Sequence, residues 1–130
     1  MAAESDLARL LAGLTPVLDI HPYGFALLPH GQALPAGLEP FGLLREAEGL
    51  TVIAMLDDLA AAGIAAEGRW ARITMMVHSA LEAVGMTAAM ATALTQAGIS
   101  ANVVAAYHHD HVFVPWDRRD EAVAVLRALG

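Results

Sequence analysis

The order of strand-like and helix-like segments in the second half of the chain constrains its fold more than any other feature. Residues that alternate, or that repeat at helical spacing, predict a strand, a helix, two strands and a final helix in succession. In chain order these segments are 69–77, 86–97, 99–107, 112–115 and a helix that Asp117 caps. This is the order of a split βαβ, or ferredoxin-like, module that lacks only its last strand.

The first half of the chain is a looser version of the same order. Its predicted elements are an N-terminal helix capped by Ser5, strands at 17–20 and 23–28 separated by His21-Pro22, a hairpin over 41–55, and a short helix bracketed by Asp57 at its start and Gly63 just past its end. A loop rich in Pro and Gly fills residues 29–40, and no flexible linker divides the two halves. Two units too small to bury a full core each are expected to pair and share strands, which predicts an α+β fold.

Composition excludes several kinds of chemistry. The chain has no cysteine, so disulfides, thiolate metal ligands and thiol nucleophiles are absent. All seven basic residues are arginine, and a chain without lysine cannot form a Schiff base. A serine nucleophile would need an oriented histidine, yet Ser79 directly follows His78 and strand neighbours point apart. With no Gly-x-Ser-x-Gly elbow or phosphate-binding loop either, we expect no enzymatic activity.

Charge and hydropathy narrow the partners and the location. A formal net charge of -7 has the wrong sign for binding a nucleic acid backbone. No segment predicts a membrane span, because glycines and polar residues divide the uncharged stretch 83–109 into a helix and a strand. No basic leader precedes Glu4 and Asp6. We therefore expect a cytoplasmic protein that binds neither nucleic acid nor membrane.

The segment before the helix at 86–97 has the composition of a carboxylate site. A glycine at a helix start lets the first backbone N–H groups, at the positive end of the helix dipole, face an anion. Gly85 and Met86 supply these groups, with His78 and Ser79 within reach as donors. Asp110 or Glu82 is available for the amino group of a zwitterion. Alternatively, Gly85 only permits a tight turn and Ser79 only caps the backbone.

Asn102 stands out in a strand that is otherwise built of Ala and Val. Asparagine is depleted in strands, so its amide either binds an effector or pairs with loop backbone.

Three imidazoles and a carboxylate occupy the four positions His108–His111. On an extended chain His109 and His111 point to the same side, which suits zinc. A further ligand would have to come from separate structure, and His78 is about thirty residues away along the chain. The cluster is therefore a metal site, the rim of an effector pocket, or a solvated turn. Of these alternatives we do not predict the metal site, and we predict no cofactor.

Four segments resemble a bacterial family of tandem ACT-domain proteins, which is similar to the regulatory domains of aspartate kinase. They are VHSALEAVGMTAA (77–89), AGISANVV (97–104), HDHVFVP (109–115) and the hairpin REAEGLTV (45–52). The resemblance implies two ferredoxin-like (βαββαβ) ACT modules in tandem with adjoining antiparallel sheets. The first module would cover residues 1–66 with the N-terminal helix, and the second residues 67–130.

The resemblance also implies a function. In ACT domains a small effector, usually an amino acid, binds where the loop after a first strand faces the second strand of a neighbouring module. On this chain the implied ligand-binding residues are His78, Ser79, Leu81, Glu82, Gly85, Met86, Asn102, Val103 and Asp110. The leading hypothesis is thus a non-catalytic sensor of an amino acid-like metabolite, and a homodimer, since apolar edge strands need covering. The alternatives are a metal-binding protein that uses His108–His111 and a structural oligomerisation module.

Overall fold

The structure is a computed structural model that describes residues 7–76 and 85–130. Within these ranges the chain forms four α-helices and six strands, which confirms the α+β class. The elements are α1 (Leu7–Ala12), β1 (Pro16–Pro29), β2 (Gly42–Glu46), β3 (Gly49–Met55), α2 (Leu56–Ala61), β4 (Glu67–Met75), α3 (Met86–Gln96), β5 (Asn102–Ala105), β6 (Asp110–Pro115), a 3-10 turn (Trp116–Arg118) and α4 (Arg119–Arg127). The strands form an antiparallel sheet in the order β2-β3-β1-β4-β6-β5.

The chain divides into two compact units that are not simply its two halves. The terminal unit contains the described residues up to Ile20 and those from Ala71 to Gly130, and the central unit is His21–Trp70. Strands β1 and β4 each contribute residues to both units.

The terminal unit obtains its missing strand from the start of β1. The backbone N–H of Met76, just after β4, donates to the carbonyl of Thr15, just before β1, at 2.8 Å. The guanidinium of Arg72 on β4 donates to the carboxylate of Asp19 on β1, also at 2.8 Å. The strand, helix, strand, strand, helix order of the second half is thereby completed to a ferredoxin-like module.

The core of the terminal unit lies between its strands and the helices α3 and α4. Ala71, Ile73 and Met75 alternate along β4 with a period of two and are fully buried. They pack with residues of α3, β6 and α4, among them Met86, Met90, Leu94, Val112, Val114, Ala122 and Leu126. Both helices therefore bury the apolar stripes predicted from their sequences.

Arg118 joins the turn before α4 to the end of α3. Its guanidinium donates to the carbonyls of Ala97, at 3.1 Å, and Gly98, at 3.2 Å. A cation at this position satisfies carbonyls that have no partner within the helix and complements the negative end of its dipole. The prediction that Asp117 caps α4 is wrong: Arg118 holds the N-cap position, with Asp117 inside the 3-10 turn.

Two strand predictions also need correction. Residues 17–20 and 23–28 belong to one continuous strand, because Pro22 has a backbone that suits an extended chain and no cis peptide bond is present in the described residues. Strand β5 is confined to Asn102–Ala105, shorter than the predicted 99–107. The backbone N–H of Ile99 donates to Leu94 at the end of α3, which holds Ile99 in the turn and out of the strand.

The central unit consists of a sheet that one helix covers. The predicted hairpin is confirmed: β2 and β3 pair from Gly42 opposite Ile53 to Glu46 opposite Gly49. Gly49 has a positive φ of 148° and lies against Leu28 of β1. Leu59 of α2 is fully buried against Val52 and Ala54. Residues 30–41 contain neither helix nor strand, as their Pro and Gly content predicted.

Gly24 of this unit has no room for a side chain. A Cβ at Gly24 would lie 2.6 Å from Leu56 Cδ2 and 2.8 Å from Ala66 Cβ. We expect Gly24→Ala to lower the free energy of unfolding, measured by urea denaturation, by about 1–3 kcal/mol through overpacking. Gly42→Ala is the matched control, since its Cβ would meet only Ile53 Cδ1, at 3.8 Å, and should leave stability nearly unchanged. Equal stability of the two variants would contradict the packing shown here.

Candidate functional site

The N-terminus of α3 requires a glycine. Gly85 is the N-cap residue, with φ of 93°, in the left-handed region that side chains rarely adopt. A Cβ there would also come within 3.1 Å of Leu7 Cδ2. Met86, the next residue, is buried in the core of the terminal unit, so only its backbone is available to a ligand.

The two ends of α3 differ in their electrostatics. Its first turn contains no acidic residue, and Gly85 has no side chain with which to cap it. At the other end, the guanidinium of Arg118 donates hydrogen bonds to the carbonyls of Ala97 and Gly98, directly after the helix. The negative end of the helix dipole is therefore compensated by a side chain of the chain itself, whereas the positive end is suited to an anion.

The remaining predicted residues lie on the hairpin of β5 and β6. Asn102 is the exposed first residue of β5, opposite Phe113, and the half-buried Val103 packs against the core. Asp110 pairs with Ala105 at the other end of this ladder. It is half-buried, and this burial raises the pKa of its carboxyl group.

The course of the chain separates these residues into two groups. Residues 97–101 reverse the chain after α3, so β5 runs back along the helix toward the end where it began. Asp110 follows the end of β5 and therefore lies toward the Gly85 end of the unit. Asn102 lies toward the opposite end, separated from Gly85 by a helix of eleven residues, about 16 Å long. One copy of the chain thus brings Asp110, but not Asn102, toward the start of α3.

Four of the predicted ligand-binding residues, His78, Ser79, Leu81 and Glu82, lie outside the described residues. Their role stays a prediction.

Sequence reasoning did not single out a row of polar side chains on β1, β4 and β6. The ion pair between Arg72 and Asp19 is about one-fifth exposed, with side-chain accessibilities of 22% and 19%. Thr74 follows Arg72 by two residues on β4, so both side chains are on the same face of the sheet. The Oγ1 atom of Thr74 lies 2.9 Å from Nδ1 of His111 on β6. One signal was available, since Asp19 is a charge inside an otherwise apolar run.

His111 is held in its neutral form by this environment. Burial first, and then the nearby charges of Arg72 and His109, lower the pKa of His111 to about 4. His111 therefore contacts Thr74 as a neutral imidazole at physiological pH.

Within the described residues the His108–His111 segment is not part of a group of metal ligands, although Nδ1 of His109 is buried there without a hydrogen bond. Tyr107 is 80% exposed, and its ring meets that of His108 edge-on with centroids 4.9 Å apart. Among residues 7–76 and 85–130, no three His, Asp or Glu side chains lie together as a metal ion would require.

Two protein-family models match this chain, and together they cover nearly all of it. One ACT-domain family model matches residues 2–71, and a second matches residues 65–128. The chain belongs to the ACT-domain family. The predicted division after residue 66 falls inside the overlap of the two matches and stays a prediction.

Solved structures extend the likeness over nearly the whole chain. A Vibrio cholerae protein of unknown function, described as a possible transport protein, is 39% identical, with 95% of this chain and 94% of that chain covered and a TM-score of 0.85. An Agrobacterium tumefaciens protein is 21% identical over 90% and 89% of the two chains, with a TM-score of 0.75. No curated protein gives a significant match.

The regulatory subunit of aspartate kinase from Thermus thermophilus shares the fold. It is 14% identical, with 88% of this chain and 95% of that chain covered and a TM-score of 0.60. ACT domains are regulatory and not catalytic, so the family supports a regulatory, ligand-binding role. None of the helices in the described ranges is long and apolar enough to cross a membrane.

The pKa of His111 leads to a prediction about acid stability. Because its pKa falls from 6.5 to about 4 on folding, the unfolded chain binds a proton between these values that the folded chain does not. The free energy of unfolding should therefore fall as pH drops from 6.5 toward 4, and His111→Gln should weaken this dependence.

Urea midpoints at about pH 7.5 and about pH 4.5 measure the effect. His108→Gln replaces an exposed histidine of the same hairpin and should keep the wild-type dependence. The raised pKa of Asp110 changes stability with pH in the opposite direction. Because Asp110 is present in the wild type and in both variants, its contribution cancels in the comparison. An identical pH dependence for wild type and His111→Gln would show that the imidazole is not neutralised on folding.

Proposed function

We propose that this protein is a non-catalytic sensor that binds an amino acid or a similarly small zwitterionic metabolite. The observation that carries the proposal is the start of α3, where Gly85 and a first turn without acidic residues present the positive end of the helix. A carboxylate bound there would accept hydrogen bonds from backbone N–H groups, including that of Met86. Membership of the ACT-domain family also supports a regulatory, ligand-binding role, and we propose a cytoplasmic location.

The other groups of a zwitterion site are proposed from their positions along the chain. His78, Ser79, Leu81 and Glu82 belong to the segment that leads into Gly85 and would line the ligand from that side. Asp110, toward the same end of the terminal unit, would accept hydrogen bonds from the ammonium group.

Asn102 and Val103 would complete the site from a second copy of the chain. Strand β5 is at one end of the strand order and carries no charged residue, so its free edge is suited to pairing with another protein. The side chain of Asn102 is exposed there and could reach a ligand bound to the partner. We therefore propose a homodimer whose two equivalent sites lie between copies.

A panel of the twenty amino acids in thermal denaturation tests ligand binding. We expect one member to raise the melting temperature, by a linkage free energy of about 2.7 kcal/mol at a hundredfold excess over its dissociation constant. Asn102→Ala should fold like wild type and lose most of this response, because its side chain is exposed. Ser100→Ala, also exposed and two residues away, is the control that should retain it.

Other outcomes of the panel would overturn the proposal. A zinc response that a chelator reverses, with none to amino acids, would favour the metal-binding alternative. No response to either would favour an oligomerisation module. A full response in Asn102→Ala would remove that residue from the site.

Light scattering tests the dimer independently of any ligand. The expected mass is twice that of the 13.6 kDa chain. A particle of 13.6 kDa at high protein concentration would exclude the proposed interface.

A further inference from the structure

The central unit contains an open cavity of about 520 Å³ that is separate from the site proposed above. Three segments line the cavity: the end of β1 with the residues that follow, 28–32; part of β2, namely Leu43, Arg45 and Glu46; and the start of β3 at Gly49 and Leu50. Its size is within the usual range of small-molecule sites, about 300–1,000 Å³.

The cavity lies on the face of the sheet that α2 covers. Leu28, Leu50 and Arg45 are directly opposite one another on β1, β3 and β2, so their side chains share one face. Ala26, Val52 and Leu43 form the next such row. Of these, Ala26 and Val52 pack in one cluster with Leu59 of α2, which identifies the face.

An absent helix explains why space remains on this face. A ferredoxin-like module covers one side of its sheet with two helices. Within residues 21–70, all of which are described, α2 is the one helix, and the loop 30–41 stands where the first helix would be. Leu34 and Leu38 of this loop cover part of the face, and the end near the β2–β3 turn stays open.

The polar groups around the cavity leave one positive charge available. Within the described parts of the chain, the guanidinium of Arg45 has no hydrogen bond or ion pair. The carboxylate of Glu46, which also lines the cavity, accepts a hydrogen bond from the hydroxyl of Thr51. His30 Nε2 donates to the carbonyl of Ala47 at 2.6 Å, which fixes its ring.

We propose that this cavity binds a small organic monocarboxylate with an apolar chain. The carboxylate would pair with Arg45, whose planar guanidinium suits a two-oxygen anion. The apolar part of the ligand would lie against the side chains of Leu28, Leu43 and Leu50. A zwitterion is disfavoured, because the carboxylate of Glu46, the acidic residue of the lining, is already bonded to the hydroxyl of Thr51.

Titration of the ¹⁵N-labelled protein with 4-methylpentanoate, followed by NMR, tests the proposal. We expect chemical shift changes in the amides of residues 28–32 and 43–50. The neutral amide of the same shape, 4-methylpentanamide, should bind far more weakly. Arg45→Gln should raise the dissociation constant about tenfold or more, since a charge-assisted pair is lost.

Arg127→Gln is the matched control. Arg127 is an exposed arginine at the end of α4, also without a partner among the described residues, and its loss changes the net charge equally. A second variant, Leu43→Trp, places a larger side chain at a position that is 47% exposed. It should fill the cavity and weaken binding of 4-methylpentanoate without disturbing the core.

The outcomes separate this inference from the sensor proposal. Asn102→Ala should bind 4-methylpentanoate like wild type, whatever its effect on amino acids. Equal affinity of Arg45→Gln and wild type, equal binding of the amide, preferential binding of leucine in this cavity, or shift changes confined to other residues would each overturn the inference.

Discussion

The structure of the terminal unit depends on the pairing of β4 with the start of β1. Without that strand, β4 would be an uncovered edge, and Arg72 would lose the carboxylate of Asp19. The residues that complete the sheet come from the opposite end of the chain, more than fifty positions away from Arg72. The terminal unit therefore contains residues from both ends of the chain, and neither half of the sequence coincides with one unit.

The same unit contains the proposed anion site. Helix α3 is held at one end by Arg118, which satisfies its last carbonyls, and begins at a glycine that cannot cap it. This difference between the two ends of α3 depends on the turn before α4, which places Arg118 at one end of the helix. The proposed effector site is therefore at the Gly85 end, whereas the opposite direction of β5 places Asn102 away from that end.

Local chemistry explains which elements could be predicted from the sequence. Helix α3, the β2–β3 hairpin and the loop 30–41 followed from periodicity, glycine positions and proline content, which act within a few residues. The continuity of β1, the shortness of β5 and the role of Arg118 could not be predicted, because each depends on a partner elsewhere in the chain. Likewise, His111 was interpreted with its neighbours in a histidine cluster, whereas its contact is with Thr74 on another strand.

The sequence by itself determined the class of fold, the resemblance to ACT domains, the exclusion of thiol and Schiff-base chemistry, and the glycine at the start of α3. These features are carried by residue types and short spacings. Only the tertiary structure decided that the start of β1 completes the terminal unit, that burial keeps His111 neutral, and that the central unit leaves a cavity beside Arg45. Strand pairing and burial bring distant residues together, and no local pattern specifies which of them will meet.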